Sequence, residues 1–318
     1  GMQYMARAGY DPYGAVKLQQ TFVKLSKDNT PSFLSGLFAS HPPSQERVNA
    51  NRERAKTLPK GNTFKARYLQ KIAQLNHDKP AYKAEGEALK ALKNKNAELA
   101  LSHLDKAVKL QPNDAYFWEL RGHAWKMKDH FSNANKAYTT AISKNPDLYS
   151  HHLARGILRY EHGDKQAAKA DLKRSNQLLA TQAASFLLGE LAVSENNTAQ
   201  ALQYYNSAAQ AGGDIGQQAL QKVALIEIPE APHKYIASQP YIDKNGRLRI
   251  AIKNHSSVTV TGIQVHVSDS GEPAHAYNVP ETLKPSQQTA IPTAFRGLTN
   301  SDDARRFRSK VVSARVVD

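Results

Sequence analysis

A spacing of 34 residues recurs through the middle of the chain and limits the available folds more than any other feature. Alanine occupies positions 100, 134 and 168, and proline occupies 112 and 146, each proline ending an amphipathic pattern. Between these marks, alanine and leucine follow one another at spacings of three and four, which is typical of helices. A fixed period of this length predicts stacked helix pairs, because one pair cannot bury its apolar face alone.

The pattern resembles the tetratricopeptide repeat (TPR), in which each unit is a pair of helices. In that family, small residues at positions eight and twenty allow the helices to approach, and position twenty-four is large. The matching residues are Ala88, Gly122, Gly156 and Gly189 at position eight, Ala100, Ala134, Ala168 and Ala201 at position twenty, and Leu104, Tyr138, Leu172 and Tyr205 at position twenty-four. The third unit departs from the pattern, with His152 at position four and Ala180 in place of the usual proline.

The resemblance predicts a TPR superhelix over residues 61–226. Its units are expected at about 81–114, 115–148, 149–181 and 182–214. Helices at 64–76 and 214–226 are expected to cover the ends of the stack. An unrelated helical bundle is the alternative to this interpretation.

In TPR proteins the first helix of each unit lines a concave groove, so the resemblance implies a binding surface for protein or extended peptide. The residues expected to line it are Tyr82, Glu85, Tyr116, Glu119, His123, Lys126, Tyr160, Glu161, Phe186 and Glu190. Tyrosine beside charge suits a peptide, since the ring supplies contact area and the hydroxyl supplies a hydrogen bond. The alternative for each residue is an ordinary solvated helix face. His151 and His152 are adjacent rather than four apart, and we expect both at the surface.

Two segments near the start carry a second resemblance. MARAGYDPYGAV at 5–16 and LFASHPPSQERV at 37–48 are similar to the end of the catalytic domain of zinc metallopeptidases of the CAAX prenyl protease, HtpX and BepA type. The resemblance implies that residues 1–60 are the last helices of such a domain and that the protein is exported to the bacterial periplasm or another extracytoplasmic space. It also makes His41 and Arg47 candidates for a loop at the catalytic cleft. The alternative is that Ser40 or Ser44 caps a short helix and Arg47 makes a surface pair.

The catalytic signature of that family is missing from the chain. None of the twelve histidines precedes a glutamate, so the HExxH motif is absent, and the ligand glutamate of ExxAD would precede Gly1. With no cysteine, disulfides, thiolate nucleophiles and cysteine-based metal sites are excluded. We therefore expect no peptidase activity and no metal site in this chain, with zinc bound only in an intact parent enzyme of envelope quality control. The rival hypothesis is a TPR scaffold without peptidase ancestry.

Period-two alternation replaces the helical pattern near the end of the chain. β-Branched runs at 247–254, 258–267 and 310–317 indicate strands. Residues 241–318 are therefore predicted to form a small antiparallel β-sandwich of five to seven strands. Prolines 229, 232 and 240 mark residues 227–240 as a linker. The predicted fold class is thus mainly α, with this β domain after the superhelix and the peptidase remnant before it.

The net charge of +15 suggests a nucleic acid or an anionic surface as partner. The excess is, however, equal in residues 1–60, 61–230 and 231–318, each part carrying five more basic than acidic groups. Even spreading disfavours one phosphate-tracking patch, so no specific nucleic acid is expected. RNA binding through the basic surface stays open as a third hypothesis. For the one tight cluster, Arg305, Arg306, Arg308 and Lys310, a solvated surface is the default, and association with the bacterial envelope stays open.

Overall fold

A computed structural model describes residues 1–27, 44–270, 272–298 and 301–317. The chain forms two compact units, residues 1–80 and 81–318. Within the described residues, no helix is long and apolar enough to cross a membrane.

The first unit is a small helical cluster. It contains α1 (Met2–Arg7), α2 (Tyr13–Lys27), α3 (Gln45–Lys56), α4 (Lys65–Lys71) and the start of α5 (Ala73–Lys93). Its core is formed by four residues of α1, α2 and α3: Met2, Val16, Val48 and Ala55. The backbone joins Gly9 to Asn62, whose N–H donates to the Gly9 carbonyl over 2.9 Å.

The second unit begins with the predicted helix pairs. These are α5 with α6 (Ala97–Leu110), α7 (Ala115–Met127) with α8 (Phe131–Lys144), α9 (Tyr149–Glu161) with α10 (Lys165–Leu178), and α11 (Gln182–Ser194) with α12 (Thr198–Ala209), followed by α13 (Gly213–Glu227). In each pair the chain turns through one residue with positive φ. These residues are Lys95, Asp129, Gly163 and Asn196, again 33 or 34 apart. The TPR-type helix pairing predicted from the period is confirmed.

Small residues at position eight let the two helices of a pair make close contact. A Cβ added at Gly122 would lie 2.3 Å from Tyr138 Cε1, and one added at Gly189 would lie 2.6 Å from Tyr205 Cε1. Both tyrosines are fully buried. In the first pair, Ala88 and Leu104 share one core. Position eight is therefore larger there than glycine, and position twenty-four is smaller than tyrosine. The combined volume is therefore similar in the first, second and fourth pairs, whereas the third pair combines Gly156 with Leu172.

The end of the chain forms two three-stranded antiparallel sheets. The strands are β1 (Ile236–Ile242), β2 (Arg247–Asn254), β3 (Val260–Ser268), β4 (His275–Asn278), β5 (Gln288–Arg296) and β6 (Arg308–Val316). Their orders are β1-β2-β5 and β4-β3-β6. Inward side chains of both sheets, including Ile250 and Val265, pack into one core. The antiparallel β structure predicted near the C-terminus is confirmed, and we call residues 232–317 the β module.

The first strand starts earlier than the sequence pattern indicated. Residues 227–240, predicted as a linker, contain the end of α13, a 3₁₀ turn at Pro232–Lys234 and most of β1. Pro240 lies within β1, which pairs only with β2 among the described strands. An edge strand tolerates proline because the missing N–H is not needed for a second ladder. The prolines therefore mark a turn and an edge strand here.

The last helix joins the TPR pairs to the β module. Ala224 and Ile228, at the end of α13, are buried in the same core as both sheets. The Tyr235 hydroxyl donates a hydrogen bond of 2.6 Å to Glu227 Oε2. Burial and the Glu227 carboxylate raise the pKa of Tyr235 above its ordinary value, so this hydroxyl keeps its proton. One face of α13 thus covers the stack while another face belongs to the sheet core.

We expect Gly122→Ala to lower the free energy of unfolding by about 2 kcal/mol, since the added methyl overpacks the contact with Tyr138. Adding Tyr138→Leu should restore part of the loss, because it recreates the Ala88–Leu104 combination of the first pair. The midpoint of urea unfolding measures both effects.

Gly86→Ala provides the matched control, since no described atom outside the adjoining backbone of α5 lies within 4 Å of its added Cβ. This change within α5 should leave stability unchanged or raise it by up to about 1 kcal/mol. Equal losses for Gly86→Ala and Gly122→Ala would contradict the close-contact explanation.

Candidate protein-binding surface

The first helices of successive pairs contact one another and form a continuous layer. Contacts join α7 to α9, α9 to α11, and α11 to α13. We call the solvent-facing side chains of α5, α7, α9, α11 and α13 the first-helix surface. All ten residues expected to line the groove lie on α5, α7, α9 or α11. The structure therefore brings them to one layer, although their exposures and partners differ.

Two tyrosines are the exposed aromatic residues of this set. Tyr82 is 48% exposed and Tyr116 is 40% exposed. The Tyr82 hydroxyl donates to Asp114 Oδ2 over 2.9 Å, and the Tyr82 ring meets the edge of Phe117. The other Asp114 oxygen accepts the backbone N–H of Tyr116 and caps α7. Asp114 thus positions both aromatic residues where α5 and α7 face solvent.

Glu85 lies on α5, one turn from Tyr82, and makes no ion pair with any described residue. Partial burial, and then the charge of Asp114, raise the pKa of the Glu85 carboxyl. Burial, followed by the charges of Glu119 and Glu85, also raises the pKa of Tyr116. This end of the first-helix surface therefore combines two aromatic rings with a carboxyl group, that of Glu85, which no described cation pairs with.

Glu119 is only 6% exposed and points toward the next repeat. The Ser150 hydroxyl donates to Glu119 Oε2 over 2.6 Å, and His151 Nδ1 bonds the same oxygen. His123 Nε2 lies 3.5 Å from Oε1. Burial alone would raise the pKa of the Glu119 carboxyl, but the hydrogen bonds from His123, His151 and Ser150 lower it to about 2. Glu119 therefore joins α7 to α9 as a buried carboxylate.

Three further groove residues also have partners within the protein. Lys126 Nζ lies 2.7 Å from Glu161 Oε2, which forms a second link between α7 and α9. His123 Nδ1 is hydrogen-bonded to the Tyr138 hydroxyl at 2.9 Å. Tyr138 is also the large residue that packs against Gly122 within its helix pair. Its ring therefore forms the apolar contact of the pair, while its hydroxyl holds His123 on the first-helix surface.

The last pair repeats this arrangement. Tyr205, the large residue of its pair, donates from its hydroxyl to Glu190 Oε1 over 2.5 Å. Lys222 Nζ of α13 lies 2.9 Å from the same oxygen. Phe186 is half-buried and stacks near the Tyr205 ring, with centroids 5.7 Å apart. Burial and the charge of Glu190 raise the pKa of the half-buried Tyr160, against the opposing charge of Lys222.

The expectation that His151 and His152 lie at the surface is wrong. His151 is fully buried and His152 is 7% exposed. His151 meets Glu119 of the preceding repeat, and His152 Nε2 is hydrogen-bonded to the Pro146 carbonyl at 2.9 Å. Adjacent positions on α9 do point to different faces, but the neighbouring helices cover both of them. The sequence does contain a signal for this contact. His151 and Glu119 are 32 residues apart, close to one repeat length, so they lie near each other on the first helices of successive repeats.

The sequence did not indicate a second buried carboxylate. Asp171 of α10 is 4% exposed. Arg155 donates to both of its oxygens over 2.8 and 2.7 Å, and Arg159 donates to Oδ2 over 2.8 Å. This bidentate arrangement neutralises a charge that would otherwise be costly to bury. It holds together the two helices of the third pair.

Of the two candidate cleft-loop residues, the structure describes only Arg47. His41 lies outside the described residues. Arg47 lies in the first turn of α3, where its backbone N–H donates to Ser44 Oγ over 3.2 Å, and its side chain is exposed. Among the described residues, no group of three histidine, aspartate or glutamate side chains is placed to hold a metal ion. The described part of the chain therefore contains no ligand set for the zinc that the second resemblance implies.

We expect acid to remove the stability that Glu119 supplies. Its pKa is about 2 in the folded protein against an ordinary 4.5, so the folded state binds this proton more weakly than the unfolded state. The stabilisation, on the order of 3 kcal/mol, is complete above pH 4.5 and is lost as the pH falls toward 2. Glu119→Gln should therefore be less stable than the parent protein at pH 7, with a difference that shrinks toward pH 2 in urea unfolding.

Glu85→Gln is the control with the opposite sign, because the pKa of Glu85 is raised. Its stability relative to the parent protein should increase as the pH rises through the titration of this carboxyl. A Glu119→Gln difference that does not change with pH would contradict the hydrogen-bonded carboxylate.

The chain has limited similarity to known proteins. No family model and no curated protein matches it. PilF of Pseudomonas aeruginosa is 18% identical over 49% of this chain and 71% of its own, with a TM-score of 0.45. MamA from Desulfovibrio magneticus RS-1 is 14% identical over 47% of this chain and 84% of its own, with a TM-score of 0.42. The first TPR of Spaghetti (RPAP3), solved with an HSP90 peptide, is 18% identical over 37% of this chain and 95% of its own, with a TM-score of 0.36. These likenesses concern the fold alone, and the TPR-type assignment rests on the helix pairs and their small–large contacts.

Proposed function

We propose that the chain is a protein-binding module that holds an extended segment of a partner protein on the first-helix surface, centred on α5 and α7. The observation that carries the proposal is the pair Tyr82 and Tyr116, both two-fifths or more exposed. Exposed aromatic rings with few rotatable bonds lose little conformational entropy on binding and supply large contact areas.

Binding is proposed at this end of the first-helix surface because most charged residues on the rest of the surface already have partners within the protein. Four other residues of this surface already have partners on a neighbouring repeat or on α13: Glu119, Lys126, Glu161 and Glu190. Recruiting them for a ligand would first require breaking those pairs. Glu85, by contrast, can accept a donor from a ligand, and the rings beside it can cover that donor from water. We therefore propose a partner segment that carries a basic side chain or a backbone N–H at this point.

We expect Tyr82→Ala and Tyr116→Ala each to weaken peptide binding at least tenfold, as truncating a central aromatic contact does. The probe is a peptide selected from a display library of random sequences against the full chain, and calorimetry measures its affinity. Glu119 is left unchanged because its replacement would disturb the protein core.

Tyr241→Ala is the matched control, since Tyr241 is 37% exposed but lies on β1. It should leave the affinity of the selected peptide unchanged. Equal affinities of all four proteins, or equal losses in the three variants, would contradict binding on α5 and α7.

We further propose that this module belongs to an exported zinc metalloendopeptidase of envelope protein quality control. The support is the combination of 5–16 and 37–48 described above, at the spacing typical of that family. In such an enzyme the first-helix surface would recruit or orient a protein for cleavage at zinc. The proposed location is the bacterial periplasm or another extracytoplasmic space, with the envelope surface as a further place of association.

The natural reading frame upstream of residue 1 decides between this parentage and its rival. We expect an HExxH motif there, followed by a glutamate in an ExxAD segment, because two histidines and a carboxylate must bind zinc together. Sequencing the natural gene tests this directly. An upstream region without both motifs would contradict the peptidase and favour a TPR scaffold, in which residues 1–60 are only a helical leader.

A further inference from the structure

We propose that the β module contains a second binding site, a basic cleft for an extended acidic peptide. The cleft has a volume of about 620 Å³ and lies beside β1 and β6. Its lining includes three residues of β1, two of β3 and five of β6, together with His233 of the 3₁₀ turn. This site is separate from the first-helix surface, so the proposal does not depend on peptide binding there.

The cleft forms where the two sheets end. Among the described strands, β1 is hydrogen-bonded only to β2, and β6 only to β3. These two edge strands contact each other without a shared ladder. Each therefore has one backbone edge without a strand partner, and an edge of this kind is where proteins commonly accept an extended peptide.

Four basic side chains line the cleft: His233, His266, Arg308 and Lys310. Among the described residues that line it, none is acidic. Lys310 stands directly opposite His266 on neighbouring strands, and Arg308 stands opposite Ser268. None of the four makes a salt bridge or a side-chain hydrogen bond with a described residue. Arg308 and Lys310 carry like charges two residues apart on one face of β6, and a bound carboxylate would offset their repulsion.

Two acidic residues lie in an adjoining recess. That recess shares Ser268 and Arg308 with the cleft and also contains Asp269 and Glu272. Asp269 is bound by Arg306, whose guanidinium Nε donates to it over 2.8 Å. The Arg306 hydrogen bonds also lower the pKa of the Asp269 carboxyl. Asp269 is thus satisfied locally, which leaves Arg308 available to a ligand in the cleft.

The spacing of the cations favours an extended peptide over a small anion. Arg308 and Lys310 are two residues apart on β6, so their side chains leave the strand on the same side. This separation is about 7 Å, which is the separation of carboxylates at alternate positions of an extended peptide. Ser309, whose side chain leaves β6 on the opposite side, has a buried Oγ with no hydrogen-bond partner among the described residues. Val312, which is 36% exposed and leaves β6 on the same side as Arg308 and Lys310, offers apolar contact to the stems of the bound carboxylate side chains.

Fluorescence anisotropy with the full chain tests the site. The probe is a labelled peptide of alternating glutamate and valine, compared with one in which glutamine replaces every glutamate. We expect the glutamate peptide to bind and the glutamine peptide to bind at least tenfold more weakly. Replacing both cations, Arg308→Gln with Lys310→Gln, should weaken binding of the glutamate peptide by at least tenfold.

Lys253→Gln with Lys284→Gln is the matched control. Both lysines are exposed in the β module and lie outside the cleft, so the double change removes the same charge. It should change the affinity less than twofold. Circular dichroism and the unfolding midpoint should match the parent protein for both double variants, because all four side chains are exposed.

Three results would overturn the proposal. Equal losses in the two double variants would indicate a diffuse charge effect instead of a site. Equal binding of a peptide with its glutamates in one block would remove the argument from alternate positions. Tighter binding of a single-stranded RNA of equal charge, lost on changing Arg308 and Lys310, would assign the cleft to phosphate instead of carboxylate.

Discussion

The close approach of the two helices within each pair is the constraint on which the second unit depends. Gly122 and Gly189 have no room for a Cβ because tyrosine rings occupy that space. Each ring then extends through the contact, and its hydroxyl emerges beside the first helices, where it bonds His123 or Glu190. One small residue therefore allows an apolar contact and also delivers a polar group to the first-helix layer.

The same geometry explains why polar residues between repeats are buried. With the helices this close, the neighbouring repeat covers side chains that an isolated helix would expose. Glu119 remains ionised there because three donors replace water around it. Such a group contributes to stability only while every partner is present. The polar contacts between α7 and α9 therefore specify how these repeats stack, in addition to the stability they supply.

The sequence predicted the repeat period, the helix pairs and the antiparallel strands, because each depends on a local pattern or a regular spacing. It failed at His151, since burial there comes from Glu119 in the preceding repeat and from no feature of the local helix. It also placed the start of the β structure too late, because Pro240 reads as a strand breaker unless the strand is known to be an edge. For the candidate surface, the sequence indicated the helices and residue types. Only the structure separates Tyr82, which faces solvent, from Glu119, which is enclosed.

The shared core between α13 and the sheets adds a consequence for the whole second unit. Ile228 is fully buried among residues of both sheets, although it directly follows the last TPR helix. Separating the β module from the stack would expose this side chain and break the bond from Tyr235 to Glu227. Both losses oppose independent movement of the two parts. The β module is therefore an integral end of the stack, and the first-helix surface and the basic cleft belong to one folded body with a common core at their junction.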